Sequence, residues 1–258
     1  MEVHELEPFG AEATALDAAA INDEEIETLR SLLAHRGVVV LRNQTIDDDA
    51  FVAFLERLGP LTFTEGEEPL AHQPALNFVS NVGRTTPPRS VFHTDTSYVS
   101  RPPAFTALRG VAIPQVGGET VFSDQYRAFE TLPGDERERL AGRTILHGVT
   151  GVDPGASESA TRHPLFRRHP VSGRTALFLS TPERCSAISG LDEADSRETV
   201  AKLYAHSTDG PLYRHRWRAG DVLIWDNRCT MHRADHSGVE GERVMHRGMV
   251  EGEVPLAA

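Results

Sequence analysis

Between Asn22 and Arg36 the apolar residues Ile26, Leu29, Leu32 and Leu33 recur three and four positions apart, the period of an amphipathic helix. Asn22 followed three residues later by Glu25 supplies both halves of a capping box, and Gly37 closes the segment. Val38-Val39-Val40-Leu41 abandons the helical period, and its β-branched run predicts a short buried strand. A second helix is predicted through Phe51, Phe54, Leu55 and Leu58, with Asp47-Asp48-Asp49 at its positive end and Gly59-Pro60 as its stop.

Beyond Pro60 the pattern shortens. Asn77 to Val82, Phe105 to Val111, Thr120 to Ser123, Thr144 to Val149, Thr175 to Leu179 and Val222 to Trp225 read as short strands separated by Gly/Pro-rich turns. A helical interruption is predicted between Gln125 and Leu140, with Pro133 opening a fresh segment. Short strands without alternating helices favour an antiparallel sandwich or barrel over a parallel sheet. Gly151 to Pro170 has little periodicity and reads as a long irregular excursion, either a binding loop or a surface segment. At 258 residues a single domain spanning 1–258 is the expectation.

Composition narrows the partners. A hydrophobic share of 39% with 25% charged residues describes an ordinary globular protein. The net charge of −12, with no long basic run, argues against a nucleic-acid partner. The short clusters Arg167-Arg168 and Arg214 to Arg218 read as solvated side chains. No apolar run reaches about 18 residues, so no membrane association is expected. The start, Met1-Glu2-Val3-His4-Glu5, is acidic where a secretory signal would be basic, which predicts a cytoplasmic protein. Two cysteines, Cys185 and Cys229, without zinc-site spacing agree with a reducing compartment.

His93-Thr94-Asp95 is the first candidate for chemistry. In an extended segment residues i and i+2 project together, so His93 and Asp95 share a face while Thr94 points away. Two imidazoles and a carboxylate on one face of Fe(II) leave open coordination positions, but the pair alone is weak evidence. With 12 histidines and 38 acidic residues, chance would supply roughly two His-x-Asp/Glu matches, and the chain has one. The best second histidine is His232, presented just beyond the predicted strand Val222 to Trp225. Arg243 and Arg247 flank Val244-Met245-His246; on a strand, positions 243, 245 and 247 share a face. If that face is inward, two buried guanidiniums call for an anion, and Arg suits a carboxylate. The alternative turns Val244 and His246 inward and leaves both arginines exposed.

His93-Thr94-Asp95, Gly117-Gly118-Glu119-Thr120, Trp225-Asp226-Asn227-Arg228 leading to His232, and the Arg243/Arg247 pair together resemble the taurine dioxygenase family of Fe(II)/2-oxoglutarate-dependent oxygenases. The likeness runs over nearly the whole chain and includes His169-Pro170, Gly173-Arg174 and Ala176-Leu177-Phe178. It implies a mainly β fold with flanking helices, a double-stranded β-helix or jelly roll. It further implies Fe(II) on His93, Asp95 and His232, with Thr120 and Arg243 on the far carboxylate of 2-oxoglutarate. Arg247 falls on the substrate side of the metal, where it holds an anionic group or orients the cosubstrate. The implied reaction consumes O2 and 2-oxoglutarate, releases succinate and CO2, and hydroxylates a C–H bond of a small anionic substrate; oxidative cyclisation or desaturation is the alternative outcome. A homo-oligomer is compatible with this family.

Two departures bear on substrate. The taurine enzyme carries a histidine contact after the second helix, where this chain reads Leu61-Thr62-Phe63-Thr64, and an asparagine four residues before the first metal histidine is replaced by Arg89. Taurine is therefore disfavoured, and Thr64 and Arg89 stand as candidate substrate residues, Arg89 favouring an amino acid, sulfonate, phosphonate or phosphate ester. Asp95 argues against a related halogenase, which leaves that position open for chloride. A non-catalytic metal-binding jelly roll or a zinc hydrolase would leave Thr120 and Arg243 without a task.

Overall fold

Val38–Leu41 forms the predicted strand and pairs antiparallel with Val222–Asp226, Val38 lying opposite Trp225 and Leu41 opposite Val222. The structure, a computed structural model, describes residues 1–64, 66–83, 90–149 and 158–258. Both strands are covered on both faces. Val39, Leu41, Val222 and Ile224 pack outward into the core beneath the first two helices. Val38, Val40, Leu223 and Trp225 pack inward against Leu108, Phe122 and Met245. Neither run alternates in polarity because each face has its own core.

These are central strands of an eight-stranded sheet. Ala11–Thr14 and Glu2–Glu5 extend it on one side; Phe105–Ala112, Val244–Val250, Leu61–Thr62 and Asn77–Ser80 extend it on the other. A three-stranded antiparallel sheet of Leu212–His215, Thr120–Asp124 and Thr230–Ala234 shares its inner core. Two further three-stranded sheets complete the mainly β jelly roll expected from sequence.

The helices Asp23–Arg36 and Asp48–Leu58 bury Leu29, Leu33, Phe51, Phe54 and Leu55 in the core on the outer face of the large sheet. The capping box is present in both directions, Glu25 N–H donating to Asn22 Oδ1 at 3.0 Å and Asn22 N–H to Glu25 Oε2 at 3.2 Å. Gly37 ends the first helix at φ 73°, and a Cβ there would lie 2.8 Å from Thr230 Cγ2. Both the left-handed backbone and the close approach demand glycine.

The helical interruption is two helices, Gln125–Glu130 and Gly134–Leu140, with Pro133 at the start of the second. Two expectations are corrected, and one helix was not anticipated. The segment read as irregular holds the strands Ala160–Pro164 and Phe166–Arg168; residues 150–157 lie outside the described residues. Their order comes from pairing with Thr144–Gly148 and Thr175–Leu177, which no local pattern announces. A helix at Glu193–Thr208 was not predicted, because its buried face uses Ser196, Thr199 and Ser207 beside only Val200 and Leu203. Arg167 is not solvated but 0% exposed, ion-paired to Glu253 at 2.6 Å with its guanidinium 4.7 Å from the Phe178 ring centroid. Arg216, by contrast, is as exposed as expected.

His147 and His163 are both buried, their ring centroids 5.3 Å apart. Burial, helped by repulsion from His163, lowers His147 to about 3, and burial, helped by repulsion from Arg167, lowers His163 to about 4. Both are neutral when folded but protonate in the unfolded chain below the ordinary histidine value. Their folded pKa values are depressed, so the stability they contribute is present above pH 6.5 and lost as pH falls toward 4. Denaturant titrations across this window should lose about 1.4 kcal/mol per pH unit for each histidine, and His147→Gln should flatten the slope. An unchanged slope in that variant would remove His147 as a cause.

Candidate active site

His93 and His232 are joined by an isolated antiparallel bridge in which each backbone N–H donates to the other's carbonyl, at 3.0 and 2.9 Å. Thr94 points away, its hydroxyl donating to Leu179 O at 2.7 Å, so His93 and Asp95 face the same side as the i, i+2 spacing requires. His93 Nε2 lies 3.5 Å from Asp95 Oδ1, and His232 Nε2 lies 3.7 Å from Asp95 Oδ2. One ligand atom from each of the three residues falls within 4.8 Å of the others. His93 Nδ1 sits 3.0 Å from Val91 O; donating there leaves the Nε2 lone pair for the cluster.

Burial pushes His232 down to about 3, keeping its imidazole neutral. Burial alone would raise the Asp95 carboxyl, but His232, His93 and Arg247 outweigh it and hold it well below the usual carboxylate range. Two imidazoles and one carboxylate converging on a common point are a donor set suited to a divalent transition metal.

The carboxylate is held by a relay. Thr106 Oγ1 donates to Asp95 Oδ2 at 2.8 Å, Asn227 Nδ2 donates to Thr106 Oγ1 at 2.8 Å, and Trp225 Nε1 donates to Asn227 Oδ1 at 3.1 Å. The Trp225 ring also lies 4.5 Å from that of His232, fixing two members of the cluster from one side chain. Sequence reasoning passed over Thr106 entirely; the Trp225-Asp226-Asn227-Arg228 motif was its only trace. Thr106→Val should weaken metal binding about 10- to 100-fold with little loss of fold, read by competition against a chelating dye. Unchanged affinity would show that the relay does not orient Asp95.

Next to the cluster, Asp226 is buried between His169 Nε2 at 3.0 Å and Arg228 Nη2 at 2.6 Å. These contacts, with Arg228 reaching on to Glu253 at 3.6 Å, brace the turn that carries Asn227.

Arg243 is 1% exposed, and its Nε donates to Gly118 O at 2.9 Å and its Nη2 to Thr120 Oγ1 at 3.3 Å. No described carboxylate lies within ion-pair distance of it. Burial lowers it to about 10, which still leaves it cationic at neutral pH. Gly118, at φ 74°, is required here, since a Cβ would stand 2.8 Å from Pro114 Cγ and 3.1 Å from Arg243 Cδ. Thr120 is two residues from Phe122, which pairs with His232 across the small sheet. Two residues along the strand, on the order of 7 Å, thus separate Thr120 from the position that faces His232.

Arg243 and Met245 turn inward, whereas His246 turns outward to Asp48 Oδ1 at 2.6 Å, so the inward reading of the pair holds. Arg247 lines a cavity of about 140 Å3 together with Thr64, Glu67, His93 and Asp95, and its guanidinium is ion-paired to Glu67. Thr64 Oγ1 bonds Thr96 Oγ1 at 2.9 Å at the edge of this cavity. Arg89 lies outside the described residues. Tyr98, Glu67 and Arg184 also line the cavity, and sequence reasoning did not single them out.

A jelly roll with a His-x-Asp and a distant His on its inner strands, and a buried arginine beyond them, defines a class of non-heme metal oxygenase. The Taurine catabolism dioxygenase TauD, TfdA family matches residues 2–249. The chain is 32% identical over 269 residues to the alpha-ketoglutarate-dependent sulfate ester dioxygenase of Pseudomonas putida, covering 93% of this chain and 84% of that protein. It is 29% identical over 260 residues to the alpha-ketoglutarate-dependent 2,4-dichlorophenoxyacetate dioxygenase of Cupriavidus pinatubonensis, covering 88% and 89%. A crystal structure of a taurine dioxygenase from Burkholderia xenovorans superposes with a TM-score of 0.86 at 30% identity, covering 99% and 92%. The chain belongs to the TauD/TfdA family and is a 2-oxoglutarate-dependent dioxygenase, an oxidoreductase acting on a small molecule. Among the described residues no helix is long and apolar enough to cross a membrane.

Proposed function

We propose that residues 1–258 act as one cytoplasmic catalytic domain in which His93, Asp95 and His232 hold Fe(II), Thr120 and Arg243 hold 2-oxoglutarate, and Arg247 faces an anionic substrate. The observation that carries this reading is Arg243. A guanidinium 1% exposed whose hydrogen-bond partners among the described residues are neutral oxygens is costly to keep, and a dianionic cosubstrate is the natural counter-charge. A metal-storage protein or a zinc hydrolase has no use for that cation.

With iron, 2-oxoglutarate and O2 bound, the site supplies oxidation of a substrate C–H bond coupled to conversion of 2-oxoglutarate to succinate and CO2. The protein's share is binding and positioning. The His93 and His232 Nε2 atoms and the Asp95 carboxylate supply one face of donors. The Thr106–Asn227–Trp225 relay keeps the carboxylate aimed, and Phe122 and Trp225 shield the inner side of His232 from water. Arg243 and Thr120 fix the cosubstrate's far end. Arg247 supports an acidic substrate, as do relatives named for a sulfate ester and for 2,4-dichlorophenoxyacetate. The stretch Leu61-Thr62-Phe63-Thr64, which lacks the histidine the taurine enzyme carries after its second helix, argues for an acid other than taurine. Hydroxylation is the favoured outcome.

Anaerobic protein given Fe(II) and 2-oxoglutarate should develop a weak visible charge-transfer band, and aerobic turnover should release succinate with iron but not with zinc. Zinc-loaded protein as active as iron-loaded protein would overturn the reading.

A further inference from the structure

Arg184 has no assigned task, yet it lines the same cavity as His93, Asp95 and Arg247. Its backbone is fixed by a turn, the N–H donating to Thr181 O at 2.9 Å just before the strand Cys185–Ile188. Its guanidinium lies 5.8 Å from the Tyr98 ring centroid. Among the described residues that guanidinium has no carboxylate within ion-pair distance and no hydrogen-bond acceptor. Other cavity-lining cations, such as Arg247, are matched; Arg184 is a half-buried cation aimed into a reaction chamber.

A protein carboxylate marks what this pair of arginines attracts. Asp95 is committed to the histidine cluster, and Glu67 is the other acid among the described residues lining the cavity. It reaches in to pair with Arg247. Burial raises the Glu67 carboxyl although Arg247 and, further off, Arg184 both draw it down, so it sits in the field of both guanidiniums.

We propose that Arg184 is a specificity-determining residue: with Arg247 it forms a two-arginine seat for the anionic head of the substrate, a seat Glu67 fills in this structure. This rests on the cavity beside His93 and Asp95 being the substrate site. Because Glu67 must leave for the acid to enter, it sets the threshold: weakly charged or neutral compounds do not displace it.

The test is calorimetric titration of metal-free protein with n-hexyl sulfate, n-hexanesulfonate, hexanoate and, as the neutral counterpart, 1-hexanol. The wild type should bind at least one of the acids more than 10-fold tighter than the alcohol. Arg184→Gln should lose at least 10-fold in affinity for that acid while the alcohol changes less than 2-fold. Arg184→Lys should recover part of the loss, and Glu67→Gln should bind the acid more tightly than wild type. If no acid is preferred over 1-hexanol, or if Arg184→Gln keeps the wild-type preference, the seat does not exist. A melting temperature for each variant separates loss of the seat from loss of fold. Binding to metal-free protein is read without turnover, so failure of the oxygenase reading, seen as absence of the iron–2-oxoglutarate band, is a distinct result.

Discussion

Asp95→Ala is expected to abolish both the visible band formed with Fe(II) and 2-oxoglutarate and the release of succinate, by a factor on the order of 1,000 or more. The reason is geometric and electrostatic together. The carboxylate lies between two imidazole nitrogens at 3.5 and 3.7 Å and is the only anion among the three. Removing it leaves two imidazole donors and takes away the charge that offsets a divalent cation, a loss on the order of several kcal/mol, and about 1.4 kcal/mol corresponds to a factor of ten. Metal affinity and single-turnover succinate yield check this directly. A variant that retains both would remove Asp95 from the metal set and leave the cavity as a binding site of another kind.

Arg243→Ala should raise the 2-oxoglutarate concentration needed for half-maximal rate by about 30-fold or more, the result of truncating one partner of a buried charge pair worth about 2–5 kcal/mol. The fold should barely suffer. This guanidinium is buried beside Gly118 O and Thr120 Oγ1 with no carboxylate among the described residues within ion-pair distance, so its removal relieves desolvation as well as losing two hydrogen bonds. The wild type should gain melting temperature on adding 2-oxoglutarate and metal, by mass action, and the variant should not. An unchanged 2-oxoglutarate requirement would detach Arg243 from the cosubstrate and with it the main support for the proposed function.

The parts of the fold visible in sequence are those with a local signature. The capping box at Asn22 and Glu25, the glycine at 37 and the 3–4 spacing of Ile26, Leu29 and Leu33 each act within one helix, and all three occur as expected. The helix Glu193–Thr208 escaped notice because it seats small polar residues against its neighbours, so burial there leaves no hydrophobic stripe. Ala160–Pro164 escaped for another reason: it is ordered by the strand beside it, Thr144 facing Pro164 and Gly148 facing Ala160. Arg167 looked like half of a solvated pair, and only the approach of Glu253 and Phe178 makes its burial tolerable.

For the site, the sequence by itself determined the ligand types and one fixed relation, that His93 and Asp95 share a face, because the two-residue period of a strand is a property of the backbone. It also set the choice between two faces for Arg243 and Arg247. Tertiary structure decided which face, turning Arg243 inward and His246 outward to Asp48. It decided that His232 meets His93 through reciprocal backbone hydrogen bonds, that Thr106 reaches Asp95, and that Arg184 and Glu67 enter the same cavity. Those relations depend on strand register between segments far apart in the chain, and register is set by the packing of the whole barrel and not by any one stretch of residues.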